Sequence, residues 1–133
     1  MTVIVNDAGF QTDDWSDGYV TLGAANDAEA LDLDSDTNPA DVPICDALKM
    51  VRVDFPSSAD GRGFTIARAL RLRGYTGRLR ARGHVLADQY AMARRCGFDE
   101  VEIDTALAER QPESQWQFRA NWQAHDYQNR LRG

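Results

Sequence analysis

Lysine is almost missing from this sequence: of its 15 basic residues, 14 are arginine and one is Lys49. Cysteine is scarce as well. Cys45 and Cys96 stand far apart with no Cys-x-x-Cys spacing, which excludes a disulfide scaffold and reads as two reduced thiols in a cytoplasmic protein. The two histidines, His84 and His125, and these cysteines offer no metal-ligand spacing. No apolar run approaches the ~20 residues that a membrane helix needs, and the first ten residues lack the basic and apolar regions of a secretory signal. There is no Walker loop, no Gly-x-Gly-x-x-Gly and no nucleophile elbow. No nicotinamide, flavin, haem or iron–sulfur cluster is therefore expected, and neither is a metal.

What is present has the length and balance of one soluble globular domain, with 133 residues, 43% of them hydrophobic and 27% charged. The net charge of −6 conceals an asymmetry. Residues 1–60 carry 13 acidic and 2 basic side chains, whereas residues 62–95 carry nine arginines and only Asp88. Arginine grips carboxylate or an oxyanion with two parallel hydrogen bonds, which lysine cannot do. The acidic whole, with no aromatics interleaved among those arginines, excludes a nucleic-acid binder. Three stretches follow: an acidic N-terminal segment over 1–47, a core over 48–104 and a helical, aromatic tail over 105–133.

In the N-terminal segment Met1–Val5 and Tyr19–Leu22 read as short strands. Asn26–Asp41 reads as irregular, with a short helical turn near Asn38-Pro39. From Lys49 to Phe55 apolar and polar residues alternate with the period of a strand buried on one face. A turn-rich loop leads to a helix over Phe64–Arg73, stopped by Gly74. Gly77–Gly83 alternates again. His84–Cys96 has helical spacing at Leu86, Gln89, Tyr90 and Ala93 and ends at Gly97. Phe98–Ile103 is a third strand, after which Asp104-Thr105 caps a helix over Ala106–Arg110. Repeated βα units predict an α/β domain with a parallel sheet and its helices mainly on one face, like part of a βα barrel. In the tail, Phe118 and Trp122 share a helical face with Trp116 and Tyr127 nearby, suited to covering an open edge of the fold or to anchoring a partner.

The same alternation gives the sheet two unlike faces. Val51, Val53, Phe55, Leu79, Ala81, Val101 and Ile103 fall on one; Arg52, Asp54, Arg78, Arg80, Arg82, Glu100, Glu102 and Asp104 fall on the other. Two readings of the ionic face stand side by side. It is a self-compensating network beneath the acidic segment or against a second subunit of a homodimer, since a lone buried charge costs several kcal/mol. Alternatively, Arg80 and Arg82 hold a small anion at the carboxyl ends of the strands, where α/β proteins bind ligands, with Asp54, Glu102 and Asp104 in support. The turn Asp60-Gly61-Arg62-Gly63 before the first core helix is a second candidate. Its backbone amides, with Arg62 and Arg68, suit an anion, although a tight turn capped by Asp60 would look the same. His84 and Asp88 at the start of the second helix are spaced for an acid–base pair or a capping contact, with Gln89 beside them. Cys96 faces a negative helix end, which raises its pKa and excludes a thiolate nucleophile.

The residues Phe55-Pro56, Asp60–Arg71, Tyr75-Thr76-Gly77, Leu79-Arg80-Ala81, Val85-Leu86, Asp88-Gln89 and Arg95–Asp99 resemble a bacterial family of unknown function. That family is encoded beside assimilatory sulfite reductase and is often labelled an oxidoreductase of sulfite reduction. The match runs from about Leu48 to Ile103, and the position of His84 is usually acidic in relatives. The resemblance implies an accessory protein of sulfur assimilation, with sulfite reductase or another protein of that process as partner. Joined to the arginines, it predicts an anion-binding or partner-binding module. A small enzyme using Asp54, Asp88 or His84 on a sulfur intermediate, and a scaffold using the aromatic tail, are the alternatives.

Overall fold

A computed structural model describes residues 2–15, 18–22 and 29–120. Its strands are β1 (Thr2–Asn6), β2 (Gly9–Gln11), β3 (Val20–Thr21), β4 (Ala30–Leu33), β5 (Met50–Phe55), β6 (Arg78–Gly83) and β7 (Glu100–Asp104), and its helices are α1 (Arg62–Leu72), α2 (Tyr90–Cys96), α3 (Thr105–Arg110) and α4 (Glu113–Ala120). All seven strands form one sheet in the order β2-β1-β7-β6-β5-β4-β3. β3 to β7 pair in parallel, and β1 pairs antiparallel with both β7 and β2. The α/β class is thus observed, with a mostly parallel sheet. Among the described residues the sheet is mixed and ends in β2 on one side and β3 on the other.

The expected core elements form for the expected local reasons. Leu31, Val51 and Leu79 stand in one register row, and Leu33, Val53, Ala81, Val101 and Val5 in the next. Burying these rows removes apolar surface from water, and the buried side chains of all four helices join them in one core. Helix α1 stops because Gly74, at φ +96°, lets its own N–H reach Arg71 O and the Tyr75 N–H reach Leu70 O, each at 3.0 Å. Gly97, at φ +114°, ends α2 in the same way through Phe98 N–H and Ala93 O.

Two expectations are corrected. The 26–41 segment contains strand β4, in register with β5, and its helical turn is a 3₁₀ turn at Pro39–Asp41 capped by the Asn38 side chain. The four residues Ala30-Leu31-Asp32-Leu33 are too short a run to announce a strand unaided. The helix expected over His84–Cys96 begins only at Tyr90; before it Val85 is buried, Leu86 is exposed, and Ala87–Gln89 makes a 3₁₀ turn. The Gln89 side chain accepts the Leu86 N–H at 2.9 Å and so competes with a helical first turn. In the tail Trp116 is buried, stacks edge-on against Tyr90 and donates its indole N–H to Gln111 O. Glu113 of α4 accepts the Phe10 N–H at 2.7 Å, so the tail closes the β2 edge. The Phe118 side chain, Trp122, His125 and Tyr127 lie outside the described residues. Among those residues, no helix is long and apolar enough to cross a membrane.

Candidate functional site

The polar face is a ladder of charges set by strand register. Asp32, Arg52, Arg80 and Glu100 are neighbours in one row, and Asp54, Arg82 and Glu102 in the next toward the carboxyl ends. Arg52 holds Asp32 with two nitrogens, at 3.1 and 2.9 Å, and reaches Glu102 at 3.2 Å. Arg80 is fully buried, donating to Glu100 at 2.5 Å and to Glu102 and Asp13 at 3.0 Å each. Burial is the largest influence and pulls the Arg80 pKa down, but the Glu100 charge together with Tyr19 and the charge and hydrogen bond of Asp13 outweighs it and leaves the pKa raised. Arg80 therefore stays charged, which it can do only because the carboxylates surround it. Arg78 pairs with Glu100 at 2.7 Å and Asp14 at 2.9 Å.

Asp13, Asp14 and Tyr19 of the acidic N-terminal segment lie over this face as a strap. Asp13 and Asp14 meet Arg80 and Arg78, and the Tyr19 ring sits 3.8 Å from the Arg52 guanidinium carbon. Asp32, Glu100 and the strap residues Asp13, Asp14 and Tyr19 are parts of the face that the sequence reading did not name as site residues. The acidic run was the available signal, but nothing local says which of its carboxylates reaches which arginine.

The Asp60–Gly63 turn is also occupied from within. The Asp60 carboxylate accepts the Arg62 backbone N–H at 3.1 Å and its guanidinium at 3.0 and 2.7 Å, and Arg62 also reaches Ser35 Oγ at 2.9 Å. Side-chain and backbone hydrogen bonds from Arg62 hold the Asp60 pKa well below the usual carboxylate range. Gly63 is needed for packing, because a Cβ there would come within 2.5 Å of the Phe55 ring. Arg68 and Gln89 belong to a different surface, a groove between α1 and α2 that also includes Gly61. Gln89 donates to Ser58 O at 2.8 Å and so ties that loop to the 3₁₀ turn. Asp88 is exposed in the same turn.

The carboxyl ends of β5, β6 and β7 leave a cleft of about 360 Å³. Asp54, Arg82, Glu102 and Asp104 of the predicted set converge on it, together with His84 and Arg110. Two of the carboxylates are committed, Glu102 to Arg52 and Arg80 and Asp104 to the Leu107 N–H at 2.8 Å as cap of α3, while Asp54 accepts one bond from Arg82 at 3.3 Å. Arg82 is not committed. Its side chain is 42% exposed, its one ion pair is a 3.3 Å contact with Asp54, and its Nε is buried without an acceptor among the described residues. Arg110 has no hydrogen bond or ion pair among those residues. It was missed because only the fold of α3 over the end of β7 brings it here. Phe55, Pro56, Ile103 and Leu107 supply an apolar wall. Among the described residues, no group of three or more histidine, cysteine, aspartate or glutamate side chains is arranged to hold a metal ion.

A family model described as a bacterial protein of unknown function (DUF934) matches residues 30–133. No curated protein and no solved structure matches the chain.

Proposed function

The chain belongs to that bacterial family, DUF934, and from its carboxyl-end cleft we propose that it is an anion-binding accessory protein of assimilatory sulfite reduction. The resemblance to proteins encoded beside sulfite reductase supplies the setting. The observation that carries the binding reading is Arg82, whose side chain is 42% exposed on the cleft with a single 3.3 Å ion pair, whereas Arg80 is fully buried among carboxylates.

The cleft contains both signs of charge, and this selects among anions. An oxyanion that retains a proton can accept from Arg82 and Arg110 while its own O–H donates to Asp54. Hydrogen sulfite and dihydrogen phosphate are of this kind. Sulfate, with no proton to give, would meet Asp54 as a like charge. Isothermal titration calorimetry tests the reading. Sulfite is expected to bind more tightly than sulfate, and Arg82→Ala is expected to weaken it roughly tenfold or more, the worth of one charge-assisted hydrogen bond. No heat from sulfite, phosphate or sulfate up to millimolar concentration would remove the proposal. His84 lines the cleft with Asp54, so a proton-transfer enzyme is the second reading. Turnover of a sulfur intermediate that Asp54→Asn abolishes would put it first.

A further inference from the structure

Helices α1 and α2 pack side by side and carry five arginines between them without a carboxylate. Three are engaged: Arg62 with Asp60, Arg71 with Asp99, and Arg94 with Asp7 and Asp99. Arg68 and Arg95 are exposed and have no hydrogen bond or ion pair among the described residues. Between the helices runs a groove of about 430 Å³, with Phe64, Met92 and Cys96 along it and Thr65, Arg68 and Gln89 at its sides. Arg68 and Arg95 both act electrostatically on the Cys96 thiol, so both stand near the groove. Met92 is 52% exposed, and Leu72, one turn beyond Arg68 on the same helical stripe, is 79% exposed.

An apolar strip rimmed by like charges is doubly unfavourable in water: its apolar area stays wet, and its cations repel. A single occupant that is apolar on one side and acidic around it relieves both. We propose that the α1–α2 groove docks an acidic amphipathic helix of a partner protein, with its apolar side on Phe64, Met92 and Leu72 and its carboxylates at Arg68 and Arg95. Charge complementarity selects this occupant, because no acidic residue lines the groove. A second copy of the chain fits less well. Thirteen of its 21 acidic residues lie in residues 1–60, whose described residues form strands, loops and 3₁₀ turns and no amphipathic α-helix. The groove shares no lining residue with the cleft, so the two proposals stand or fall separately.

Fluorescence anisotropy on the full chain tests it. The probe is a labelled peptide with leucines at i, i+3, i+4 and i+7 and glutamates between them, compared with a scrambled isomer of the same composition. The amphipathic peptide is expected to bind saturably and more weakly at high salt. Arg68→Glu and Met92→Asp, each checked for unchanged circular dichroism, are expected to weaken it about tenfold or more, while Arg82→Ala leaves it unchanged. Equal binding of the scrambled isomer, no loss in either groove variant, or no saturable binding at low salt would overturn the proposal. So would a concentration-dependent dimer that Arg68→Glu abolishes, which assigns the groove to a second copy. Retention on anionic vesicles without peptide binding would assign it to a lipid surface instead.

Discussion

Arg80 and Arg82 lie on the same strand, on the same face and two residues apart, yet their surroundings are opposite. Arg80 is sealed between Glu100, Glu102 and the strap carboxylate of Asp13. Arg82 has one long contact with Asp54 and an open side toward the cleft. The difference comes from neighbours, not from the residue. Arg80 has Glu100 opposite it on β7, whereas the residue opposite Arg82, Glu102, is already drawn to Arg52 and Arg80. One row of the polar face is therefore a structural ion network, and the next is available for binding. A sequence rich in arginine does not by itself make a ligand site.

The largest effect that separates the two rows is on stability. Arg80→Met leaves the buried Glu100 and Glu102 with one cation each, Arg78 and Arg52, and urea unfolding is expected to show a loss of about 3–5 kcal/mol. Arg82→Ala is expected to cost under about 1 kcal/mol, as a half-exposed pair does. Equal losses in the two variants would erase the distinction. A middle-sized effect belongs to the Asp60–Gly63 turn. Gly63→Ala pushes a methyl group into the Phe55 ring and is expected to destabilise by roughly 1–3 kcal/mol while leaving sulfite titration unchanged. Lost anion binding in a folded Gly63→Ala protein would return that turn to the site.

The smallest effect concerns the strap. A side-chain hydrogen bond from Arg78 holds the Asp14 pKa below its ordinary 3.8. A carboxylate held low contributes stability above its unfolded pKa and loses it as pH falls through the lower folded value. The Trp15 signal, isolated by comparison with Trp15→Phe, is expected to stay level from neutral pH down to about 3.8 and to change only below it. Arg78→Ala should move that change upward. A transition near neutral pH would mean that something other than Asp14 holds the strap.

Much of this could be read beforehand. The alternation in Lys49–Phe55 and Gly77–Gly83 announced strands with one apolar and one ionic side, and Gly74 and Gly97 marked two helix ends, because these features depend on near neighbours. Strand β4 was hidden by its shortness. The extended start at Val85 was hidden because its spacing also fits a helix and only burial of Val85 without Leu86 decides. Asp54, Arg82, Glu102 and Asp104 could be placed at one end of the sheet from their strands alone. Arg110 and the strap contacts could not, since they join residues far apart in the chain, Asp13 and Arg80 being 67 positions apart.

The amino-acid order alone determined that a central β layer would have a greasy side for helices and a charged side for something else, because side chains alternate along any extended strand. Only the tertiary structure decided which charges are neutralised and which remain open. That outcome rests on strand register and on where a distant acidic segment comes to lie, and both are settled by the packing of the whole chain.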